Sequence, residues 1–363
     1  MAAETKSGGG SGERRFTVDS LRRYTAQLLQ KSGLGADEAA CLAQSLVLAD
    51  QRGVGSHGLM RLRTYAERVR RGVVRGGVAP KIVRETPAFL AIDGGNGNGM
   101  WVAQQIMDLC IARARTSGAC FATVGNGNHF GIAASFTERA AAAGMIGLAL
   151  SNASPTMVPT GGRKPLLGAN PLSIAIPAGK RPPLVLDMAT STVAQGKIIL
   201  AAKEGKKTIP SDWAVDPDGN PTTNPELALK GAMLPFGGAK GYGLALIIDI
   251  LCATLSGALT SAHVNSFWKD FENPQNIGFF LGAWDIGSVM PMGQFEERMT
   301  ALLDEMKACP PAPGHTEVFY PGEIEHRREA ASLREGVGLG PAVIEDLTKL
   351  GAEYGAVFPE AKT

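Results

Sequence analysis

Cysteine is scarce in this chain of 363 residues, and its five cysteines form no CxxC pair. They are scattered at Cys41, Cys110, Cys120, Cys252 and Cys309. An odd, unpatterned set argues against a disulfide framework and favours a reducing compartment, so we expect a cytoplasmic protein. Charge is scarce too, because Asp, Glu, Lys and Arg make up only 19% of the residues and the formal net charge is +2. This balance argues against a nucleic-acid or anionic-membrane surface.

Long apolar runs are also missing. Every stretch of about 20 apolar residues is interrupted by a charge, Gly or Pro, so we expect no membrane span. The segment from Met1 to Phe16 lacks the apolar centre of a secretory signal. Its Gly-rich run predicts a disordered tail over residues 1–13. Gly is abundant, at 46 residues, close to twice the usual share of about 7%, and predicts many tight turns and close backbone approaches.

The first folded part is predicted to be helical. Thr17 is a good N-cap for a helix that Gly33 ends, and a second helix follows. A third helix is predicted to begin at Ser56, with Leu59 and Leu62 on its apolar face.

After Pro80 the pattern changes to strand, turn and helix, repeated. The turns Asp93 to Gly99 and Gly125 to Asn128 lie between a strand and a helix, and the second of these helices is predicted from Phe130 to Ala143. This order predicts an α/β sheet with ligand sites at strand ends. Further along, Tyr242 to Leu255 is apolar almost all round and must be buried, in the core or against a partner.

Neither Gly-rich turn is a Rossmann fingerprint. Gly95 to Gly99 spells GxGxG, and no acidic residue ends the next strand where ribose recognition is expected. In the second turn Phe130 occupies the place of the third Gly. His129, beside this turn, remains a candidate contact for a phosphate or a substrate. The sequence also has no P-loop, no GxSxG elbow and no metal-ligand spacing.

One stripe of the predicted third helix carries groups suited to acid/base chemistry. His57 falls in its first turn, and Arg61 and Tyr65 follow four and eight residues later on the same side. The positive helix end favours a bound anion and lowers the pKa of the imidazole. The spacing fits a proton carrier beside an anionic substrate, and it equally fits a surface helix with an incidental His.

Two further segments are candidates: Leu186 to Ser191, directly after a short predicted strand, and Pro235 to Gly243, whose glycines let the backbone approach a ligand. In the second, Lys240 could neutralise a phosphate or pair with a carboxylate. Each segment alone is equally an ordinary loop.

Several short motifs, in order, resemble the malate/L-lactate dehydrogenase family of the non-Rossmann type. The resemblance spans about Phe16 to Pro359. The motifs are Ala49-Asp50, Gly53, Ser56-His57-Gly58, Arg61, Tyr65, Gly125 to Gly131, Gly168 to Pro171, Asp187 to Ser191, Gly196-Lys197-Ile198, Trp213 to Asp216, Gly237 to Gly243 and Pro321-Gly322-Glu323.

The resemblance implies an α/β fold with a mixed-sheet, non-Rossmann dinucleotide-binding domain. It implies a helical domain built from N- and C-terminal segments. We expect the helical domain at residues 14–80, joined by helices from about 235–260 and 322–363, and the NAD(P)-binding domain at 81–321. The family uses NAD or NADP to interconvert small 2-oxo and 2-hydroxy acids such as malate or lactate, and its members are usually homodimers.

The resemblance also implies site residues. Ser56 and His57 match the proton-relay pair, and Arg61 matches the substrate-carboxylate ligand, with Tyr65 and Ala169 beside the substrate. Ureidoglycolate-type members instead use the residue matching His129 as acid/base, so the two histidines compete for one role. The positions that match cofactor contacts are His129, Phe130, Gly131, Asp187, Met188, Ala189, Lys240, Pro321, Gly322 and Glu323.

Two departures from the family pattern bear on the substrate. Many members have Thr where this chain has Ala169, which widens or dries the pocket. Imine-reducing members have Asp where this chain has Lys197, which weighs against a piperideine- or pyrroline-carboxylate reductase. The third alternative is a non-catalytic binding protein, and the retained Ser56, His57, Arg61 and Lys240 argue against it.

Overall fold

The computed structural model describes residues 12–362, so nearly all of the tail predicted at residues 1–13 lies outside the described residues. The helices are α1 Val18–Ser32, α2 Ala36–Gln51, α3 Leu62–Arg70, α4 Gly99–Ser117, α5 Ala134–Ala142, α6 Gln195–Lys203, α7 Pro225–Lys230, α8 Ala239–Asp249, α9 Met292–Ala308, α10 Glu323–Glu335 and α11 Pro341–Tyr354. The strands are β1 Arg14–Phe16, β2 Lys81–Glu85, β3 Phe89–Asp93, β4 Ala119–Gly127, β5 Met145–Ser151, β6 Leu172–Ala178, β7 Arg181–Met188, β8 Ala214–Val215, β9 Ala232–Met233, β10 Ile277–Asp285 and β11 Val337–Leu339.

The main sheet has seven strands in the order β2-β3-β4-β10-β5-β6-β7. β3 and β4 run parallel, and every other neighbouring pair is antiparallel. Helices α4 and α5 pack against this sheet, and their apolar faces share a core with β3, β4, β5 and β10. The predicted mixed sheet is confirmed, and the strand order differs from that of a doubly wound dinucleotide-binding sheet.

A second core lies among helices from both ends of the chain. Leu21, Leu42 and Leu62, from α1, α2 and α3, share it with Leu347 of α11. β1 pairs antiparallel with β11, so that Phe16 lies opposite Val337. The helical part is thus assembled from N- and C-terminal segments, as expected, whereas the proposed domain boundaries stay a prediction.

The prediction of one helix beginning at Ser56 is wrong. Gly55–His57 and Leu59–Arg61 are single 3₁₀ turns, and the α-helix begins only at Leu62. Ser56 is therefore not an N-cap. The predicted cap Thr17 is confirmed, because its hydroxyl accepts the backbone N–H of Ser20.

The second Gly/Asn segment also differs from its prediction. Gly125 to Gly127 continue β4 as strand, because their backbone pairs with β3 at Asp93 and with β10 at Ile277. Helix α5 begins later than predicted, at Ala134 instead of Phe130. Gly131 precedes it with φ +77°, a left-handed conformation that a right-handed helix cannot contain.

Helix α8 continues as a π-helical turn, Ile250–Thr254, and its burial is uneven. Ala245 and Ile248 face the core, whereas Leu246, Ile247 and Ile250 are between 38% and 54% exposed. Of the two expected alternatives, burial in the core does not hold for this side, and burial against a partner stays a prediction. Among residues 12–362, no helix is long and apolar enough to cross a membrane.

Candidate active site

A short non-helical loop carries the first predicted site residues. Gly58 separates the two 3₁₀ turns and has extended backbone angles, φ −91° and ψ −151°. The carboxylate of Asp50, from α2, fixes the loop because its Oδ2 accepts the N–H of Leu59 at 2.7 Å. A Cβ at residue 58 would lie 2.2 Å from Asp50 Oδ1, so only Gly fits here. Burial raises the pKa of Asp50 to about 7.

This loop brings Ser56, His57 and Arg61 together. Ser56 Oγ lies 3.0 Å from His57 Nδ1, and the Nε of Arg61 donates to the carbonyl oxygen of Ser56. Arg61 Nη2 lies 3.5 Å from His57 Nε2. Because a guanidinium can only donate, the Nε2 of a neutral His57 carries the lone pair and its Nδ1–H points to the Ser56 hydroxyl.

The second imidazole comes from the segment between β4 and α5. The backbone N–H of His129 donates to Gln275 Oε1 at 3.1 Å, and the hydroxyl of buried Tyr65 hydrogen-bonds to His129 Nδ1. The rings of His57 and His129 are stacked with centroids 5.7 Å apart. Folding therefore brings His129, more than 60 residues away in sequence, into one contiguous group with the predicted residues His57, Arg61 and Tyr65.

Arg61 donates to a poorly matched acceptor at His129. Its Nη1 lies 2.9 Å from His129 Nε2, while the N–H of Gly131 points at His129 Nδ1 from 3.2 Å. A neutral imidazole has one acceptor nitrogen, so two donors on opposite nitrogens cannot both be satisfied. A carboxylate would be a stronger acceptor for this guanidinium.

The charge of Arg61 is also without a counter-ion in the part of the chain that the structure describes. Its hydrogen bonds reach two imidazoles and one carbonyl, and none reaches an Asp or Glu. Partial burial lowers the pKa of Arg61. A salt bridge would stabilise the charged guanidinium and raise this pKa. A half-buried, unneutralised guanidinium is a strong candidate for binding a carboxylate in bidentate fashion.

Both imidazoles are neutral at physiological pH. Burial, followed by the nearby Arg61 charge, lowers the pKa of His57 to about 3. The same two causes, in the same order, lower the pKa of His129 well below its ordinary value. The predicted direction for His57 is confirmed, but its predicted cause is wrong, because the α-helix begins five residues later.

Two aromatic residues that sequence reasoning missed complete this group. The Cζ of Arg61 lies 4.9 Å from the ring centroid of Trp268 and 5.6 Å from that of Phe267. Phe267 also contacts Tyr65 and His129, with ring centroids 5.1 and 5.0 Å away. In the sequence, the available signal for these residues was a pair of adjacent aromatic side chains in a segment rich in polar residues.

The residues predicted to contact a cofactor form a second group, along β7. Asp187, near the end of β7, accepts the N–H of Ala134 at the start of α5. The loop Pro321 to Glu323 lies against the same strand, since Pro321 O accepts the N–H of Val185 at 2.9 Å. Met188 and Ala189 follow Asp187 and are half-buried.

The remaining predicted positions are placed differently. Phe130 is buried and stacks on Phe279, so its side chain belongs to the core. Lys240 is exposed in the first turn of α8. Ala169 accepts the N–H and hydroxyl of Thr190 with its carbonyl oxygen, and no described contact joins Ala169 to Arg61 or to either imidazole.

The donor set of this second group fits a nicotinamide dinucleotide. The carboxylate of Asp187 can accept ribose hydroxyls, and Lys240, outside this group in α8, is an exposed cation that can pair with a phosphate. Ser135 Oγ, one residue beyond Ala134, is buried and has no hydrogen-bond partner among the described residues. In the same part of the chain, no cluster of His, Cys, Asp or Glu could hold a metal ion.

Comparison with known proteins gives one consistent family. The family model for malate/L-lactate dehydrogenase matches residues 16–348. A malate dehydrogenase of Pyrococcus horikoshii is 36% identical over 94% of this chain and 96% of that protein. A (2R)-3-sulfolactate dehydrogenase (NADP+) of Chromohalobacter salexigens is 36% identical over 92% and 97%. A ureidoglycolate dehydrogenase (NAD+) of Escherichia coli K12 is 32% identical over 89% and 92%.

Solved structures give the same result. The malate dehydrogenase of Pyrococcus horikoshii superposes with a TM-score of 0.89, at 33% identity, over 98% of this chain and 99% of that chain. A delta1-piperideine-2-carboxylate reductase of Pseudomonas syringae superposes with a TM-score of 0.84, at 28% identity, over 93% and 99%.

Proposed function

The chain belongs to the malate/L-lactate dehydrogenase family, and from that premise we propose that it is an NAD- or NADP-dependent dehydrogenase of small 2-hydroxy acids. It interconverts a 2-oxo acid of malate or lactate type and the corresponding 2-hydroxy acid. The observation that carries this proposal is Arg61, an unneutralised guanidinium flanked by two neutral imidazoles.

Arg61 binds the substrate carboxylate with the two N–H groups of its edge. His57 holds or releases the proton at the C2 oxygen through Nε2, as general acid in reduction and general base in oxidation. Ser56 orients the ring through Nδ1. Hydride transfer at C2 is the chemistry that a nicotinamide cofactor would supply when bound.

The connection to solvent favours His57 over His129 as the acid/base. Ser56, which contacts His57 Nδ1, is exposed, so the proton can exchange with water through its hydroxyl. The Nδ1 of His129 faces Tyr65, which is 3% exposed, and burial raises the pKa of that phenol further. His129 therefore has no comparable route, and we assign it to positioning Tyr65 and the substrate.

We assign cofactor binding to the second group, along β7, and to the segment from His129 to Gly131. Asp187, Met188 and Ala189 would hold one part of the dinucleotide, and Lys240 would neutralise a phosphate. The loop Pro321 to Glu323 lies against the same strand and would close this side of the site.

Imine reduction is the second candidate, because a piperideine-carboxylate reductase shares this fold. Lys197, at the position where imine-reducing members have Asp, weighs against it. A cationic side chain there cannot supply the carboxylate that would stabilise a protonated imine. Many members of the family have Thr where this chain has Ala169, so its methyl group offers the substrate one hydroxyl fewer.

The proposal includes a homodimer in the cytoplasm. The exposed apolar side of α8, formed by Leu246, Ile247 and Ile250, supports self-association, since such a surface is costly in water. All five cysteines are free, which supports a reducing compartment.

The test is a panel of 2-oxo acids and cyclic imines with NADH or NADPH, followed by loss of nicotinamide absorbance. We expect oxidation with at least one 2-oxo acid and a severalfold rise in KM with Arg61→Lys, because Lys lacks the planar fork. Fluorescence changes on binding without any oxidation would favour a non-catalytic protein, and activity with cyclic imines alone would favour the reductase. Unchanged KM and kcat in Arg61→Lys would show that another cation binds the carboxylate.

A further inference from the structure

A loop more than 190 residues away in sequence is docked onto α3 and onto Arg61, the proposed substrate ligand that directly precedes this helix. Tyr65 and Arg68 of α3 follow Arg61 at spacings of four and three residues. Trp268 contacts Arg61, and Phe267 contacts all three of these side chains.

Arg68 fixes this loop to the helix. Its side chain is among the largest fully buried ones, at 1% exposure. Its Nη1 donates to the carbonyl oxygen of Asp270, its Nη2 donates to that of Asn273, and its Cζ lies 5.7 Å from the Phe267 centroid. A buried guanidinium bound to two backbone carbonyls holds the path of the loop.

Gln275 ties the same loop to the second imidazole. Its Oε1 accepts the backbone N–H of His129, and its Nε2 points to the carbonyl oxygen of Asn265, 3.4 Å away. Because Gln275 is 1% exposed, these bonds are shielded from water. The loop is thus anchored after the two aromatic residues, and Gln275 ties Asn265, which precedes them, to the same point.

Trp268 has little packing that explains its position. Its side chain is 47% exposed, although a large apolar ring in water is unfavourable. Its ring meets the ring of Phe267 in a T-shaped pair, with centroids 5.0 Å apart, and lies against the guanidinium of Arg61. Placing an aromatic ring over a guanidinium leaves the N–H edge free for a carboxylate.

We propose that Trp268 and Phe267 are positioning residues that hold the guanidinium of Arg61 in the orientation that binds the substrate carboxylate. This inference rests on the proposed function and extends it to a loop that no motif includes. Because the carboxylate is common to all 2-oxo acids, removing the Trp268 ring weakens the binding of each acid by a similar factor.

The test compares Trp268→Ala, Trp268→Phe and wild type with a panel of 2-oxo acids and with oxamate, an unreactive carboxylate analogue. For Trp268→Ala we expect KM to rise about 3- to 30-fold for every 2-oxo acid, the range for a cation–π contact. The dissociation constant of oxamate from the NADH complex should rise by a similar factor, while kcat changes less and NADH binding is unchanged. Trp268→Phe should retain most of the wild-type affinity for the 2-oxo acids and for oxamate.

Phe271→Ala is the matched control. Phe271 lies on the same loop and contacts the Cζ of Arg71 at 5.3 Å instead of Arg61. Phe271→Ala should leave KM and oxamate binding unchanged. Thermal unfolding should show that Trp268→Ala and Phe271→Ala both fold.

Three outcomes would overturn the inference in distinguishable ways. Unchanged KM and oxamate binding in Trp268→Ala, with an active wild type, would exclude the positioning role and leave the proposed function intact. An effect confined to some 2-oxo acids would show that the ring contacts the substrate side chain and does not position Arg61. If wild type neither reduces a 2-oxo acid nor binds oxamate, the proposed function fails, and the positioning role fails with it.

Discussion

At the scale of single residues, the two stacked imidazoles have the same charge state but different surroundings. Both face Arg61 through Nε2, yet only His57 reaches an exposed hydroxyl through Nδ1. A catalytic acid must regain its proton from water after each turnover. From this difference we propose the acid/base role for His57 and a positioning role for His129.

His57→Ala should therefore lower turnover by about 10²-fold or more, because general acid–base catalysis contributes at least this much. NAD(P)H binding should change little, which fluorescence titration of the nucleotide measures. His129→Ala serves as the comparison. If His129→Ala abolishes turnover while His57→Ala does not, the assignment is reversed.

The lowered pKa of His57 predicts a specific pH dependence. With a pKa of about 3, the imidazole of the free protein is neutral above about pH 5. Oxidation needs the neutral base, so its kcat/KM should stay level as the pH rises from 5 to 8. Reduction needs the protonated acid, so its kcat/KM should fall about tenfold per pH unit over that range. An inflection near 6.5 in both directions would mean that the imidazole keeps its ordinary pKa.

At the scale of elements, the loop between α2 and α3 depends on one close approach. Gly58 lies against the carboxylate of Asp50, which also accepts the N–H of Leu59. This contact separates the two 3₁₀ turns and directs His57 towards Arg61.

Gly58→Ala should thus destabilise the protein by about 1–3 kcal/mol, because the added Cβ overlaps the Asp50 carboxylate. It should also lower kcat, since the loop carries His57. Gly293→Ala is the control: this helical glycine in α9 is exposed and has open space around it. Equal thermal stability and equal activity of the two variants would show that the loop does not need this contact.

The sequence predicts elements where the signals are local. Thr17 caps the start of α1 and Gly33 caps its end, as expected, because capping depends on a few neighbouring residues. The helix predicted at Ser56 is wrong because Asp50, outside that window, determines the loop. The turn predicted at Gly125 is a strand because β3 and β10 pair with it on both sides.

The site follows the same rule. Ser56, His57, Arg61 and Tyr65 could be proposed together because they are close in sequence. His129 is a candidate ligand contact from its place beside a Gly-rich turn, and the resemblance to a family adds a candidate acid/base role; folding brings it to the same place. Phe267, Trp268 and Gln275 could not be placed, since their loop is far from α3 in sequence and meets it through tertiary contacts such as those of buried Arg68.

At the scale of the whole molecule, the exposed apolar side of α8 supports the proposed homodimer. Ile247 is 54% exposed at the centre of a helix that has few polar side chains. Two-fold dimers are the commonest oligomers, and ligand sites often lie where subunits meet.

Ile247→Glu should consequently shift the protein from dimer to monomer, measured by light scattering, because it places a charge within the apolar side of α8. Activity per chain should fall in parallel, and wild-type activity should fall on dilution. Val289→Glu, at a site that is 82% exposed and outside α8, should change neither property. A fully active wild-type monomer at all concentrations would contradict the dimer and require the site to function within one chain.

The central claim, hydride transfer to C2 of a 2-oxo acid bound at Arg61 and protonated by His57, has one direct test. The protein is incubated with the best 2-oxo acid and with nicotinamide nucleotide deuterated at the transferred position, and the product is analysed by mass spectrometry. We predict one deuterium at C2 of the 2-hydroxy acid, formed about 10²-fold more slowly by His57→Ala. The absence of deuterium from every 2-hydroxy acid, or label only in the amine formed from a cyclic imine, would contradict the account.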